Sequence, residues 1–125
     1  MQPESRLNEA IKKYVAKEVQ EQRIGEGKVL KVHGNQFMEA GTPDLLIGLS
    51  INNVTVVMFV ESKVGNNKPT AIQERRLKEW GFIMATAAVW DILAFQNFYM
   101  DVLRNLERTG VYQGYYGHYK TKGVQ

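Results

Sequence analysis

The chain has 125 residues, with 16 basic and 13 acidic side chains and a formal net charge of +3 when both histidines are neutral. Hydrophobic residues make up 44% and charged residues 23%, which excludes a wholly disordered chain and predicts a single globular domain. Cysteine is absent, which excludes disulfides, thiolate catalysis and zinc ribbons. No apolar run approaches the ~20 residues of a membrane span, and the first residues lack a secretory-signal pattern. We therefore expect a cytoplasmic protein.

The first half of the chain predicts one helix and three strands. Apolar residues recur at helical spacing over about residues 4–20, which indicates an amphipathic helix. A short alternating strand is expected over residues 28–33, and a loop follows. Two apolar segments, 44–50 and 54–63, read as strands that are covered on both faces. Asn52-Asn53 lies between them and suits a tight hairpin turn, because asparagine tolerates positive φ.

The second half predicts two helices, one strand and a tail. Thr70 and Gln73 have the spacing of a capping box, so a helix is expected over residues 70–80. A fourth strand is expected over residues 82–89, and a last helix follows Asp91 as its N-cap and continues to Gly110. From Val111 the chain is rich in tyrosine, glycine and lysine. We expect this tail to be a frayed terminus or a flexible arm that stacks on bases or embraces a partner subunit. The predicted order, α-β-β-β-α-β-α, is that of a mixed α/β layer fold.

Two carboxylates are expected to meet in the hairpin. If Asn52 and Asn53 form its tip, paired residues have numbers that sum to 105, and Asp44 then lies opposite Glu61. Lys63, two residues beyond, points to the same face as Glu61. Two opposed carboxylates repel and destabilise a sheet, whereas a divalent cation would use both as oxygen ligands. The spacing therefore predicts a metal site next to a lysine.

Glu4 is the third acid of this hypothesis, since it lies on the core-facing stripe of the first helix and a core-facing carboxylate needs a partner. Simpler interpretations stay open. Asp44 can merely begin a strand, and Glu61 with Lys63 can form a solvated ion pair that contributes little stability. Glu4 can be an exposed acid that favours the helix dipole. A shift of the hairpin register by one residue would remove the pair altogether.

Several blocks of the sequence together resemble a known nuclease domain. Pro43-Asp44 followed by Glu61-Ser62-Lys63 matches the PD-(D/E)xK nuclease pattern. The wider set of blocks, in order along about residues 4–106, resembles the stand-alone VRR-NUC (virus-type replication-repair nuclease) domain of phage and bacterial type. These blocks are Lys31–Gly34, Ala40–Ile47, Phe59–Lys63, Lys68–Gln73, Leu77, Trp80–Gly81 and Trp90–Ile92.

The resemblance implies a restriction-endonuclease-like fold with an αβββαβ core, whose mixed sheet is flanked by helices. We expect the nuclease domain to span residues 1–110 with its C-terminal helix, and residues 111–125, which lie outside the resemblance, to form a C-terminal tail that can be flexible. The resemblance also implies Mg²⁺- or Mn²⁺-dependent hydrolysis of DNA phosphodiester bonds. The expected location is the cytoplasm, which is that of the host if the protein is phage-encoded. Stand-alone members look like homodimeric, structure-selective endonucleases, with Holliday junctions as a substrate.

The family's functional residues carry over one by one. Asp44 and Glu61 match the metal-binding acids, Lys63 the catalytic lysine, and Glu4 the acid of the first helix, which can reach the metal through water. Gln73 matches the family's glutamine, although its capping-box position explains it without a site. The backbone carbonyl of Ser62 is a further metal ligand. The family more often has an apolar residue at this position, but the Ser62 side chain is expected to point away, with little consequence.

Contacts to DNA phosphates are assigned to basic residues near the proposed site. These candidates are Lys31, His33, Lys68, Arg75 and Arg76. His33 can equally be a strand-end residue with a structural partner, and the basic residues can form solvated helix faces. Two other functions stay open at this point: a catalytically silent DNA-binding module on the same fold, and a nuclease without structure preference.

Overall fold

A computed structural model describes residues 3–32 and 40–121 of the chain. In that part it contains three helices and five strands, and His33, one of the candidates for DNA contact, lies outside the described residues. The elements in chain order are α1 (Pro3–Gln20), β1 (Glu26–Lys31), β2 (Leu45–Ile51), β3 (Val54–Ser62), α2 (Ala71–Trp80), β4 (Ala85–Val89), α3 (Ile92–Thr109) and β5 (Tyr116–Tyr119).

The five strands form one mixed sheet in the order β1-β2-β3-β4-β5. The pairs β1–β2 and β2–β3 are antiparallel, whereas β3–β4 and β4–β5 are parallel. A parallel neighbour requires a crossover connection, and α2 and α3 supply the two crossovers. The predicted mixed α/β architecture with helices flanking the sheet is therefore confirmed.

The β2–β3 hairpin has the predicted register. Asn52 and Asn53 have φ values of 50° and 68°, the two consecutive positive angles that a type I′ hairpin turn requires. Leu45 is paired with Val60, and every other pair in the ladder has the same sum of residue numbers. The short asparagine turn thus fixes which residues of the two strands lie opposite each other.

The main apolar core lies between one face of the sheet and the helices α1 and α3. Tyr14 of α1 packs edge-on against Phe95 and Tyr99 of α3, with ring centroids 5.9 and 5.3 Å apart. The strands contribute the alternate residues of β2, β3 and β4 that point to this side, which include Leu45, Ile47, Val56, Met58, Val60, Ala85, Ala87 and Val89. Burial of the α1 stripe follows the predicted helical spacing.

The opposite face of the sheet carries α2. A smaller apolar cluster of Leu77, Ala88 and Trp90 forms there, and Phe59 packs edge-on against Trp80 at 5.7 Å. This helix covers β3 and β4 but leaves the second face of β2 half-buried. Both strands of the hairpin were expected to be covered on both faces. The end of β3 is covered in this way, whereas β2 is covered on its second face only in part.

Two strand boundaries differ from the sequence-based expectation. β4 begins at Ala85, because the chain first makes a turn in which the Ile83 and Met84 N–H groups both donate to the Trp80 carbonyl. The apolar residues Phe82 and Ile83 belong to this turn and are 80% and 60% exposed. β1 lies earlier than predicted, over Glu26–Lys31.

The segment after Val111 was expected to be a flexible tail, but residues 116–119 form a strand that continues the sheet in parallel with β4. Tyr112 anchors the approach to this strand: its hydroxyl accepts a hydrogen bond from the Val57 N–H and donates one to the Thr55 carbonyl, both at 3.1 Å. The tyrosines therefore pack within the domain.

None of the helices in the described part of the chain combines the length and the apolarity needed to cross a membrane.

Candidate functional site

Asp44 is held at the end of the sheet where β1, β2 and β3 meet. It directly precedes β2, and its backbone carbonyl accepts a hydrogen bond from the Val32 N–H at 2.7 Å. Its carboxylate accepts a second bond from the Ser62 N–H at 3.1 Å, and Lys31 Nζ lies 3.3 Å from Oδ1. The carboxylate is therefore tied to β3 and to a cation.

Glu61 is a buried acid, only 2% exposed, near the end of β3. Its Oε2 accepts a hydrogen bond from Gln73 Nε2 at 3.2 Å and lies 3.5 Å from Lys63 Nζ. Its Oε1 is buried and accepts no hydrogen bond from any described residue. Such an unpartnered buried oxygen is costly, so Glu61 has an acceptor site for which the described residues provide no donor.

The surroundings of Glu61 favour its neutral form in the absence of another cation. Burial, the neighbouring Asp44 carboxylate and the charge of Glu4 together raise the pKa of Glu61 to about 8. Lys63 opposes the shift but does not cancel it. Desolvation is the largest cause of this shift, and the two neighbouring acids add to it.

Glu4 lines a cleft with Asp44 at this end of the sheet. The cleft has a volume of about 440 Å³ and is lined by Pro3, Glu4, Ser5, Asn8, Lys31, Asp44, Val64 and Asn67. Glu4 is half-buried in the first turn of α1. The first helix, the end of the hairpin and the loop after β3 therefore come together at one place.

Asp44 and Glu61 are the acidic residues at this place that could hold a divalent cation together with several water ligands. In the described part of the chain, no group of three or more acidic or histidine side chains is placed so that it could hold a metal ion. Mg²⁺ does not require one, because it is usually bound by one or two carboxylates and completes its shell with water or substrate oxygens. The unpartnered oxygen of Glu61 and the adjacent Asp44 carboxylate match that need.

Gln73 serves two roles with different ends of its amide. Its Oε1 accepts a hydrogen bond from the Thr70 N–H at 2.9 Å, and its own N–H donates to Thr70 Oγ1 at 3.2 Å, which completes the predicted capping box. Its Nε2 meanwhile reaches Glu61. The structural and functional interpretations of this residue are therefore compatible, because the cap aims the amide at the buried acid.

A buried hydrogen bond between β3 and α1, next to the site, is not predicted from the sequence. The Ser62 side chain points away from Glu61, as expected, but its hydroxyl donates to Asn8 Oδ1 at 2.6 Å. Both residues are buried. Neither has a recognisable motif, and the contact depends on how α1 docks against β3, which the spacing of apolar residues does not specify.

The basic residues chosen as DNA contacts have different surroundings. Lys31 lies in the cleft beside Asp44, whereas Lys68 is exposed in the loop before α2. Arg75 pairs with Glu79 at 3.5 Å. Arg76 donates to the Ala40 carbonyl at 3.1 Å and contacts Glu79 at 2.8 Å. The two arginines thus have partners within the chain.

The unexpected fifth strand adds polar residues to the face that carries Glu61. Across the sheet Glu61 pairs with Ala88, and Ala88 pairs with His118, so the His118 backbone lies about 10 Å from that of Glu61. His118 contacts Glu74 of α2 at 2.8 Å, and Lys120 Nζ lies 5.3 Å from the centre of the Trp90 ring. No sequence signal marks these residues, because they become neighbours of the site only when β5 joins the sheet.

Comparison with known proteins adds no assignment: no protein-family model matches the chain, and no curated protein or solved structure is significantly similar to it. The resemblance described from the sequence blocks therefore stays a prediction.

Proposed function

We propose that this protein is a divalent-metal-dependent DNA endonuclease that hydrolyses phosphodiester bonds. One observation carries the proposal: a buried glutamate with an unpartnered oxygen lies next to a second carboxylate and to a lysine. An uncompensated arrangement of this kind destabilises a fold, and a cation would relieve it. Buried acids with raised pKa values cluster at functional sites.

The proposed cation, Mg²⁺ or Mn²⁺, would be held by Asp44, Glu61 and the Ser62 carbonyl, with Glu4 acting through water. When bound, it supplies positive charge that offsets the negative charge accumulating on the phosphate in the transition state. The two carboxylates bind and orient it, since hard oxygens suit these ions.

Lys63 and Gln73 contribute hydrogen-bond donors to the proposed site. The Lys63 ammonium lies on the same strand face as Glu61, where it would hold the attacking water and stabilise the developing phosphate charge. Gln73 fixes one oxygen of Glu61 through its Nε2, which leaves the other oxygen free for the cation. Helix α2 therefore orients the acid from one side and β3 supplies the lysine.

The family, substrate structure and assembly state belong to the same proposal and rest on the sequence resemblance. We propose a VRR-NUC-type nuclease that acts as a homodimer on branched DNA such as Holliday junctions, in the cytoplasm. The mixed sheet with flanking helices is compatible with a restriction-endonuclease-like core. A two-fold dimer would present one site to each of two strands.

A cleavage assay with four DNA structures tests the proposal. The protein is incubated with four-way junction, flap, duplex and single-stranded DNA in Mg²⁺, Mn²⁺ or EDTA. Cutting of the junction in either metal and none in EDTA is expected. Equal cutting of all four substrates would indicate a nuclease without structure preference, and binding without cutting in any metal would indicate a silent DNA-binding module.

The two roles of Gln73 can be separated by a pair of variants. Thr70→Ala and Gln73→Ala both break the capping box, so each is expected to lower the free energy of unfolding by about 1 kcal/mol. Only Gln73→Ala also removes the hydrogen bond to Glu61, and it should slow cutting by roughly tenfold or more. Denaturant unfolding and cutting rates at saturating metal measure the two effects. Equal cutting by the two variants would assign Gln73 to the cap alone.

Lys120 is proposed as a DNA phosphate contact, because it is exposed on the face of the sheet that carries Glu61. Lys120→Ala should weaken DNA binding in EDTA and reduce the slope of log affinity against log salt by roughly 1. Lys13 is the matched control, since it is exposed on α1, across the sheet. An equal reduction of this slope in Lys13→Ala would show that a lysine affects DNA binding regardless of its position. That result would contradict the proposed phosphate contact of Lys120.

A further inference from the structure

We infer that the Ser62–Asn8 hydrogen bond is a clamp that positions Glu4 beside the proposed metal site, an inference that rests on the proposed function. The clamp joins two residues that are 54 positions apart in the chain, one at the end of β3 and one in the second turn of α1. Neither side chain would touch substrate or metal, so both are positioning residues.

The contact is short and shielded from water. Ser62 is 0% and Asn8 7% exposed, and the donor and acceptor oxygens are 2.6 Å apart. A buried hydrogen bond fixes geometry, because separating its partners would leave polar groups without water to replace the bond. The helix and the strand are therefore held at one separation at this point.

The clamp lies next to the acids of the hairpin. Ser62 is flanked by Glu61 and Lys63, and its backbone N–H donates to Asp44. On α1, Asn8 lies four residues after Glu4 and thus on the same face of the helix. Both α1 residues line the cleft that contains Asp44. One hydrogen bond therefore sets the distance between the acid of the helix and the two acids of the hairpin.

The rest of α1 is held by apolar packing that does not involve the clamp. Leu7, Ile11 and Val15 are buried in the main core, so loss of the hydrogen bond should leave the helix docked. Only its first two turns should gain freedom of movement. We therefore expect Ser62→Ala to fold and to affect the site more than the global stability.

The test measures Mn²⁺ binding to the protein without DNA, by electron paramagnetic resonance of the free ion. Ser62→Ala should weaken Mn²⁺ binding by roughly 10- to 100-fold, the usual effect of losing a group that orients metal ligands. Thr86→Val is the matched control, because the Thr86 hydroxyl is also fully buried and donates to the Leu77 carbonyl at 2.8 Å. This control should lose comparable stability and keep its Mn²⁺ affinity. Unchanged affinity in Ser62→Ala would overturn the inference.

A double variant separates stability from positioning. Asn8→Leu combined with Ser62→Ala removes both polar groups of the contact, so neither is left buried and unpaired, and stability should recover relative to Ser62→Ala. Mn²⁺ affinity should remain low, since apolar contact does not fix the helix as a hydrogen bond does. Full recovery of Mn²⁺ affinity in the double variant would show that packing alone positions Glu4, and would refute the clamp.

Amide hydrogen exchange in metal-free protein keeps this inference separate from the proposed function. Exchange at residues 8–11 should accelerate in Ser62→Ala and not in Thr86→Val, because only the former releases the first turns of α1. Equal exchange in the two variants would refute the clamp. Absence of Mn²⁺ binding by the unsubstituted protein would refute the proposed function, while the exchange comparison would still decide whether the clamp exists.

Discussion

Replacement of Glu61 by glutamine is expected to slow metal-dependent DNA cutting by a factor on the order of 10²–10³ or more, while DNA binding in EDTA is preserved. The substitution keeps the shape of the side chain and an acceptor for Gln73 Nε2, and removes the negative charge that would bind the cation. Lys63→Met, which keeps most of the stem and removes the ammonium group, should have an effect of similar size. Initial cutting rates at saturating Mg²⁺ and Mn²⁺ measure both variants.

Glu18 provides the matched control for this prediction. It is also a buried acid, but it pairs with Arg23 at the other end of α1. Glu18→Gln should lower stability and leave the cutting rate of the folded protein unchanged. If Glu61→Gln or Lys63→Met cut as fast as the unsubstituted protein, the assignment of these residues to the reaction would be wrong.

The metal-free protein is expected to lose stability as the pH rises from about 5 to about 8. The pKa of Glu61 is about 8 in the folded protein and near 4.5 when the group is exposed. In this window the folded state holds a proton that the unfolded state has released, so the free energy of unfolding falls with rising pH. The stabilisation is complete below pH 4.5, declines through the window and is lost above pH 8. Each unit of pKa difference corresponds to about 1.4 kcal/mol.

A comparison of Glu61→Gln with the unsubstituted protein isolates this contribution, because all other titrating groups are shared. The two proteins should melt at similar temperatures near pH 5. Above pH 8 the variant should melt higher by roughly 10 °C in EDTA, because it has no buried charge to accommodate. Saturating Mn²⁺ should raise the melting temperature of the unsubstituted protein only, by mass action on the folded state. If the difference in melting temperature between the two proteins is the same at pH 5 and at pH 9, the raised pKa assigned to the buried Glu61 is wrong.

Local signals in the sequence were sufficient to predict the β2–β3 hairpin and its register. Asparagine at both tip positions adopts the positive φ angles of a two-residue turn, and that turn determines all the pairs behind it. The expected opposition of Asp44 and Glu61 lies one position beyond the last pair of the ladder, Leu45 and Val60, and the Asp44 carboxylate accepts a hydrogen bond from the adjacent Ser62 N–H.

The capping box of α2 could also be predicted from the sequence, because it depends on two residues three positions apart. The hydrogen bond from the Gln73 amide to Glu61 could not be predicted, since it depends on the placement of α2 over the sheet. Thr70 thus illustrates what local spacing predicts, and Gln73 illustrates where tertiary packing adds a second role.

β5 could not be predicted, because its four residues, Tyr116–Tyr119, contain a glycine and lack alternating apolar and polar positions. It forms because the edge of β4 provides backbone partners for it, while the Tyr112 hydroxyl, bonded to the Val57 N–H of β3, holds the preceding segment in place. Apolar character misled the prediction in the opposite direction at Phe82 and Ile83, which lie in a turn. Both differences show that pairing partners, rather than composition, decide which segments become strands.

The Ser62–Asn8 contact was missed for a related reason. A serine between two charged residues of a strand has no periodic or motif signal, and the asparagine has none within its helix. Only the docking of α1 brings the two together.

The most direct test of the account is a calorimetric titration of the metal-free protein with Mn²⁺ at pH 7, performed in two buffers of different ionisation enthalpy. We expect one Mn²⁺ site per chain, and release of about one proton per bound ion as Glu61 loses its proton. We also expect Glu61→Gln and Asp44→Asn to lose this binding. Absence of Mn²⁺ binding by the unsubstituted protein would contradict the claim that the two carboxylates bind a divalent cation together. Equal Mn²⁺ affinity in the unsubstituted protein and in the two variants, with no proton release, would contradict it as well.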